Sequence, residues 1–217
     1  MKPLKKVSTT WSPNLAYIVG LIATDGSLSK DGRHISFTSK DAQLINTFKK
    51  CLGIKNKIGL KSSGFGGRKY PYIQFGDVNF YKWLLGIGLT PNKSRTLGEL
   101  KIPNKYFFDF LRGHFDGDGC CYGYWDPRWH SSFMFYTTFI SASEKHVVWL
   151  KDKIEELLNI KSILRKENGP MYGIRFAKKD SKTIFCSIYY KEKLPHLSRK
   201  FKKFKKILEI ENKENSK

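Results

Sequence analysis

Tyr17-Ile-Val-Gly-Leu-Ile-Ala-Thr-Asp-Gly26 and Phe110-Leu-Arg-Gly-His-Phe-Asp-Gly-Asp-Gly119 are two versions of one pattern, a mostly apolar stretch with a glycine near its middle and an Asp-Gly pair at its end. Gly20 answers to Gly113, Asp25 to Asp118 and Gly26 to Gly119, each pair 93 residues apart. Ser12-Pro13 and Pro103 stand before the two stretches as helix-start signals, and an Asp-Gly pair is a common place for a helix to stop. Each stretch therefore reads as a helix, and the chain as an internal duplication.

The segments downstream of the two stretches repeat too. Strand character over Arg33 to Ser39 and Phe133 to Ser141 leads into helical spacing over Asp41 to Leu52 and Glu144 to Leu158. A hairpin comes next, with Ile58 to Lys61 and Tyr70 to Phe75 around the turn at 62–67, and Ser162 to Arg165 and Met171 to Phe176 around the turn at 167–170. Closing helices fall at about Asn79 to Gly86 and Ser181 to Tyr190. The expected fold is α+β, two pseudo-symmetric αββαββα halves that each carry a four-stranded antiparallel sheet and share one core. The spans are 1–12 as an N-terminal basic segment, 13–88 and 103–197 as the halves, 89–102 as an ordered linker, and 198–217 as a C-terminal basic helix and tail.

The balance of charge points to a partner. Forty Lys and Arg against 19 Asp and Glu leave +21 on 217 residues, which favours a polyanion because phosphates release counterions when lysines neutralise them. The longest apolar run, Leu15 to Ala23, is too short to span a membrane, and four cysteines without a Cys-x-x-Cys pair read as reduced thiols. Nucleic acid in an intracellular setting, cytoplasmic, nucleoid or organellar, is the expectation. In the first hairpin, alternation sets Ile58, Leu60, Ile73 and Phe75 on an apolar face. The opposite face holds Lys57, Lys61, Arg68, Tyr70, Tyr72 and Gln74, a surface suited to nucleic acid.

Helices that pack through Gly20 and Gly113, where missing side chains permit close approach, bring Asp25 and Asp118 together at the base of their interface. The small residues Ala23, Thr24 and Gly117 help, and Thr24 and Gly117 are expected metal-site residues together with the two aspartates. Facing carboxylates repel unless a cation lies between them, and hard divalent cations prefer oxygen ligands. Mg2+ is the expected cofactor, with Mn2+ or Ca2+ as non-catalytic substitutes. His114, on an apolar helix, reads as a packed core residue.

With these two motif copies the chain resembles the LAGLIDADG homing endonucleases in their single-chain form, over about Asn14 to Lys206. The resemblance implies saddle-shaped sheets lying in adjacent major grooves of double-stranded DNA, a monomer, and Mg2+-dependent cleavage of a long pseudo-palindromic site that leaves cohesive 3′ overhangs. It implies that Asp25 and Asp118 bind the metal. The earlier acidic motif position is Ala23 in one copy and Asp116 in the other, and Asp116 is taken as a helix-end residue; Asp126 is taken as a loop residue. A Gln-Lys pair of the family is matched by Ser39-Lys40 in the first half, so Lys40 is an expected catalytic residue. The second half has Ala142-Ser143 and lacks the lysine, which implies unequal cutting of the two strands. A second basic position is matched by Lys93, also expected to be catalytic, and by either Arg199 or Lys200. The expected DNA readers are His34, Ser36, Thr38, Lys57, Lys61, Arg68, Tyr72, Gln74, Arg165 and Arg175. Two other activities are open to the same scaffold, an RNA maturase acting on an intron and a DNA-binding regulator that does not cleave.

Overall fold

The computed structural model describes residues 6–62, 67–167 and 169–214, without the side chains of residues 130 and 131. Residues 1–5 of the basic segment, 63–66 and 168 in the two hairpin turns, and 215–217 of the tail lie outside the described residues.

The first half begins with α1 (Pro13–Asp25), where Ser12 accepts a hydrogen bond from the Leu15 amide at 3.2 Å and Pro13 opens the helix. It continues through β1 (Gly26–Leu28), β2 (His34–Thr38), α2 (Ala42–Leu52), β3 (Ile58–Ser62), β4 (Lys69–Gly76) and α3 (Val78–Gly86). The second half repeats the order with α4 (Phe107–Gly117), β5 (Cys120–Asp126), β6 (Trp129–Ser141), α5 (Glu144–Leu158), β7 (Ile163–Lys166), β8 (Tyr172–Phe176) and α6 (Lys178–Ile188), and ends in α7 (Ser198–Glu214). Both sheets are antiparallel and four-stranded, with orders β1-β2-β4-β3 and β5-β6-β8-β7. The expected α+β architecture of two matching halves is the one observed.

Antiparallel residues that face each other share a side of the sheet, so the register sorts every strand. Phe37 opposite Ile73, and Phe139 opposite Ile174, point into the core. Packed rings fill that space: Phe37, Phe48, Phe75 and Phe80 in one half, and Phe115, Phe139 and Phe176, set edge to face, in the other. The α1 residues Ala16 to Ile22 are buried, because one face meets the sheet and the other meets α4.

Two expectations about these elements need correction. Ile58 and Leu60 are exposed rather than buried. They share the face of Ile73, but edge strand β3 carries them past the cover of the helices. Asp126 ends strand β5 instead of lying in a loop, and it accepts hydrogen bonds from the Arg128 amide and guanidinium, closing the tight turn to β6.

The expected ordered linker is a packed segment, with Leu89, Leu97, Leu100 and Ile102 buried. Ser143 at the start of α5 donates to the Leu97 carbonyl at 2.5 Å, and His146 Nδ1 lies 2.8 Å from the Gly98 carbonyl. At the other end of the chain, α7 buries Phe204 and Ile207 against β5 and β6 while Lys202, Lys203, Lys205 and Lys206 face out. Glu211, 2% exposed, pairs there with Lys178 and Lys182. The C-terminal basic helix is thus a built part of the second half.

Candidate active site

The site forms where the motif helices end together. A Cβ on Gly20 would overlap the Phe110 carbonyl oxygen, and one on Gly113 would overlap that of Tyr17, a reciprocal pair about the pseudo-twofold axis. Further down, Gly117 lies against the side chain of Thr24, whose hydroxyl turns back to donate to the carbonyls of Gly20 and Leu21. Thr24 and Gly117 therefore set the spacing at the floor of the site.

Below this contact the two helix ends need partners for their last carbonyls. Neither end has a left-handed cap: Gly26 is extended and Asp118 is right-handed. Two buried ammonium groups take the place of caps. Lys93, in a short 3-10 turn over Lys93–Arg95, donates from Nζ to the carbonyls of Thr24 at 3.3 Å and Gly26 at 2.8 Å. Lys200, in the first turn of α7, donates to those of Phe115, Gly117 and Gly119 at 2.7, 2.8 and 2.6 Å. Of Arg199 and Lys200, it is therefore Lys200 that matches Lys93. Burial lowers both lysines to about 8, against the pull of the nearby carboxylates.

Asp25 and Asp118 both line a cleft of about 460 Å³, together with Thr38, Ser39, Lys40, Asp41, Tyr70, Asp116, Gly117, Arg199 and Lys200. Crowding by protein, and next the charge of Asp118, pushes the carboxyl of Asp25 up to about 6, although this side chain is open to the cleft. Crowding likewise raises Asp118. Two oxygen-donating carboxylates held near one another at such a cost suit a hard divalent cation. Among the described residues no cluster of three or more His, Cys, Asp and Glu side chains could hold a metal by itself.

Asp116 turns away to other work. It is 1% exposed, and its Oδ2 accepts from the Tyr17 hydroxyl at 2.7 Å and the Leu197 amide at 2.8 Å, bracing α1 and the approach to α7. His114 is buried as expected and stacks on His146, with ring centroids 5.3 Å apart. Lys40 is exposed on the cleft wall. Arg199 forms a two-pronged ion pair with Asp41 at 2.8 and 2.7 Å, and Gln43 bonds Ser198 and the His196 carbonyl, so α7 is clasped to the start of α2.

Thr38 and Tyr70 carry the open face of the first sheet to this cleft. On the first, register places His34, Ser36 and Thr38 beside Tyr72 and Gln74, with Lys61 opposite Tyr70. Lys57 precedes β3 on the same alternation, and Arg68 stands exposed just ahead of β4. His34 is held by the carboxylate of Asp31. On the second sheet Arg165 and Arg175 share the open face, and Arg175 lies over the rings of Tyr122 and Tyr136 at 5.5 and 5.4 Å. Tyr122, Tyr124 and Tyr136 form a stacked ladder there. Sequence alternation over 120–126 held this ladder, but its register against β6 was needed to see it.

The fold that carries this site has counterparts among known proteins. Residues 12–75 match the family described as LAGLIDADG-like domain. No curated protein matches the chain by sequence. Among solved structures, the homing endonuclease I-WcaI bound to its DNA recognition sequence superposes with a TM-score of 0.64 at 16% identity, over 93% of this chain and 88% of that one. The LAGLIDADG meganuclease I-AabMI bound to uncleaved DNA gives 0.62 at 14%, over 95% and 92%. Full-length DUF199/WhiA from Thermatoga maritima gives 0.59 at 14%, over 94% of this chain and 62% of that one, so the chain spans less than two thirds of that protein. Residues 12–75 are thus similar to a LAGLIDADG-like domain, and the chain as a whole has the LAGLIDADG fold.

Proposed function

Starting from that fold, we propose that this protein is a site-specific double-strand DNA endonuclease of the homing type, dependent on Mg2+ and cutting a long pseudo-palindromic site to leave cohesive 3′ overhangs. The observation that carries the reading is the pair Asp25 and Asp118 in one cleft, each at the end of a helix whose last carbonyls are held by a buried lysine. A protein that only bound DNA would have no use for two crowded carboxylates, which repel both each other and phosphate. WhiA shares the scaffold, and retention of both aspartates favours cleavage over that alternative.

The chain's own residues divide the work. Open sheet faces, rich in Lys, Arg, Tyr, Gln and hydroxyl groups, dock two adjacent major grooves and read base edges. Asp25 and Asp118 would hold the cation, while Lys93 and Lys200 fix the helix ends that carry them. A bound Mg2+ would supply charge neutralisation at the phosphate. Lys40 and Tyr70, on the wall of the cleft, face the position of a phosphodiester seated over the aspartates. Both aspartates come from one chain, so a monomer suffices.

The test is selection of bound duplexes from a randomised library, followed by incubation with Mg2+. One long site should be cut by the protein and left whole by Asp25→Asn and Asp118→Asn variants that still bind it. Full cleavage by either variant sinks the assignment, and binding without any cutting moves the protein to a regulator or to an RNA maturase.

A further inference from the structure

The open faces of the two sheets differ in chemistry. On the first, the imidazole, hydroxyl and amide groups of His34, Ser36, Thr38 and Gln74 stand beside Tyr72. On the second, strand pairing sets Tyr122 opposite Tyr136 and Tyr124 opposite Met134, and alternation along β6 adds Ile140 to the same face. All five of these side chains are at least partly exposed. Strand β1 stops at Leu28, close behind Asp25, whereas β5 runs on to Asp126, and β8 pairs with β6 only over 137–141. The rungs Tyr122–Tyr136 and Tyr124–Met134 therefore lie on a two-stranded ribbon that has no counterpart in the first half. An unpaired base needs a free ring on which to stack, but Tyr136 lies against both Tyr122 and Tyr124, and Arg175 covers Tyr122 and Tyr136. The groove of a duplex is met instead by ring edges, a thioether and a branched alkyl group. In the major groove every base pair presents hydrogen-bonding atoms, and thymine alone adds an apolar group, its C5 methyl. Donors and acceptors on the other bases would lose water against this surface and gain no partner.

We infer that the second half selects thymine by its 5-methyl group, through Tyr124, Met134, Tyr136 and Ile140, so that the half-site under this sheet is rich in A·T pairs while the other half-site is read by hydrogen bonds. This rests on the double-stranded DNA binding of the endonuclease reading. Arg175, fixed over two of the rings, brings positive charge to a nearby phosphate and so helps to seat the ribbon without reading sequence.

Affinity is measured without Mg2+ on a duplex selected by binding, with uracil replacing thymine first in one half of the site and then in the other. Uracil removes the methyl group and leaves base pairing intact. In one half it should weaken binding about fourfold for each contacted methyl lost, and in the other it should change affinity by less than about twofold. Tyr124→Ser and Met134→Ser should remove that penalty, which assigns the sensitive half to the second sheet, whereas Ser36→Ala on the first sheet should keep it. Tyr124 is exposed, so its replacement leaves the core untouched. Uracil tolerated in both halves, equal penalties in the two, or a penalty that both ribbon variants retain overturns the inference while leaving the endonuclease reading in place. Absence of specific binding to any duplex removes both.

Discussion

Asp116 and Asp118 stand two residues apart and do opposite things. Asp116 is sealed in, with Tyr17 and Leu197 donating to it, whereas Asp118 opens to the cleft. An Asp116→Ala change strands a buried hydroxyl and amide and should lower unfolding stability by about 2–4 kcal/mol in urea titration. Asp118→Asn should unfold at nearly the same urea concentration as the parent while losing cleavage. Sequence pattern alone puts both residues at one helix end, and the resemblance assigns the metal to Asp118 and leaves Asp116 as a helix-end residue; its bonds to Tyr17 and Leu197 come from parts of the chain far away and are not readable. Arg199 and Lys200 stay undecided in sequence, since adjacent residues differ by about 100° around a helix and only packing against β5 fixes which one turns inward.

Elements show where legibility was high. Glu144–Leu158 and Ala42–Leu52 can be read directly from apolar spacing, because both helices bury one stripe over a sheet. Three-residue β1 is too short for alternation to mark it, and β3 misleads because alternation says which residues share a face and not whether that face is covered. Between α1 and α4 the decisive contact is backbone on backbone. Gly113→Ala would press a methyl onto the Tyr17 carbonyl, and the helices would separate at a loss of about 1–3 kcal/mol, seen as a lower thermal midpoint. Where α5 meets the linker, burial holds His146 neutral, its proton affinity pushed down to about 4. A depressed value in the folded state means that its contribution is whole above about pH 6.5 and drains as pH falls towards 4. Between pH 7 and 5 this histidine should account for about 2 kcal/mol of lost stability, and His146→Gln should flatten that part of a stability-against-pH curve.

At the scale of the molecule, the chain carries a net charge of +21 together with two four-stranded sheets. Binding to any duplex should therefore weaken steeply with salt. If 6–10 phosphates are neutralised, affinity should fall by about 10³–10⁵ between 50 and 200 mM salt, as titrations at several salt concentrations would show. A flat response would mean that the lysines serve solubility alone. Among the described residues no helix is long and apolar enough to cross a membrane. The duplicated motif made the global plan readable, since each half carries the same order of elements; the difference between the halves at the cleft showed in sequence only at Ser39-Lys40 against Ala142-Ser143, and which strand residues stand beside them emerges only when strands far apart in the chain are laid side by side.

The place of α7 in the chain bears on how such a protein comes to exist in a cell. Lys200 and Arg199, which close the floor and the rim of the cleft, sit far beyond both motif aspartates along the chain. Synthesis runs from the amino end, so a growing or prematurely ended polypeptide that stops short of residue 200 carries both acidic groups but has no ammonium on the second helix end and no clasp to α2. The cleft is thus completed last, by the same segment that completes the second half, and an unfinished chain lacks one of its two buried ammonium groups.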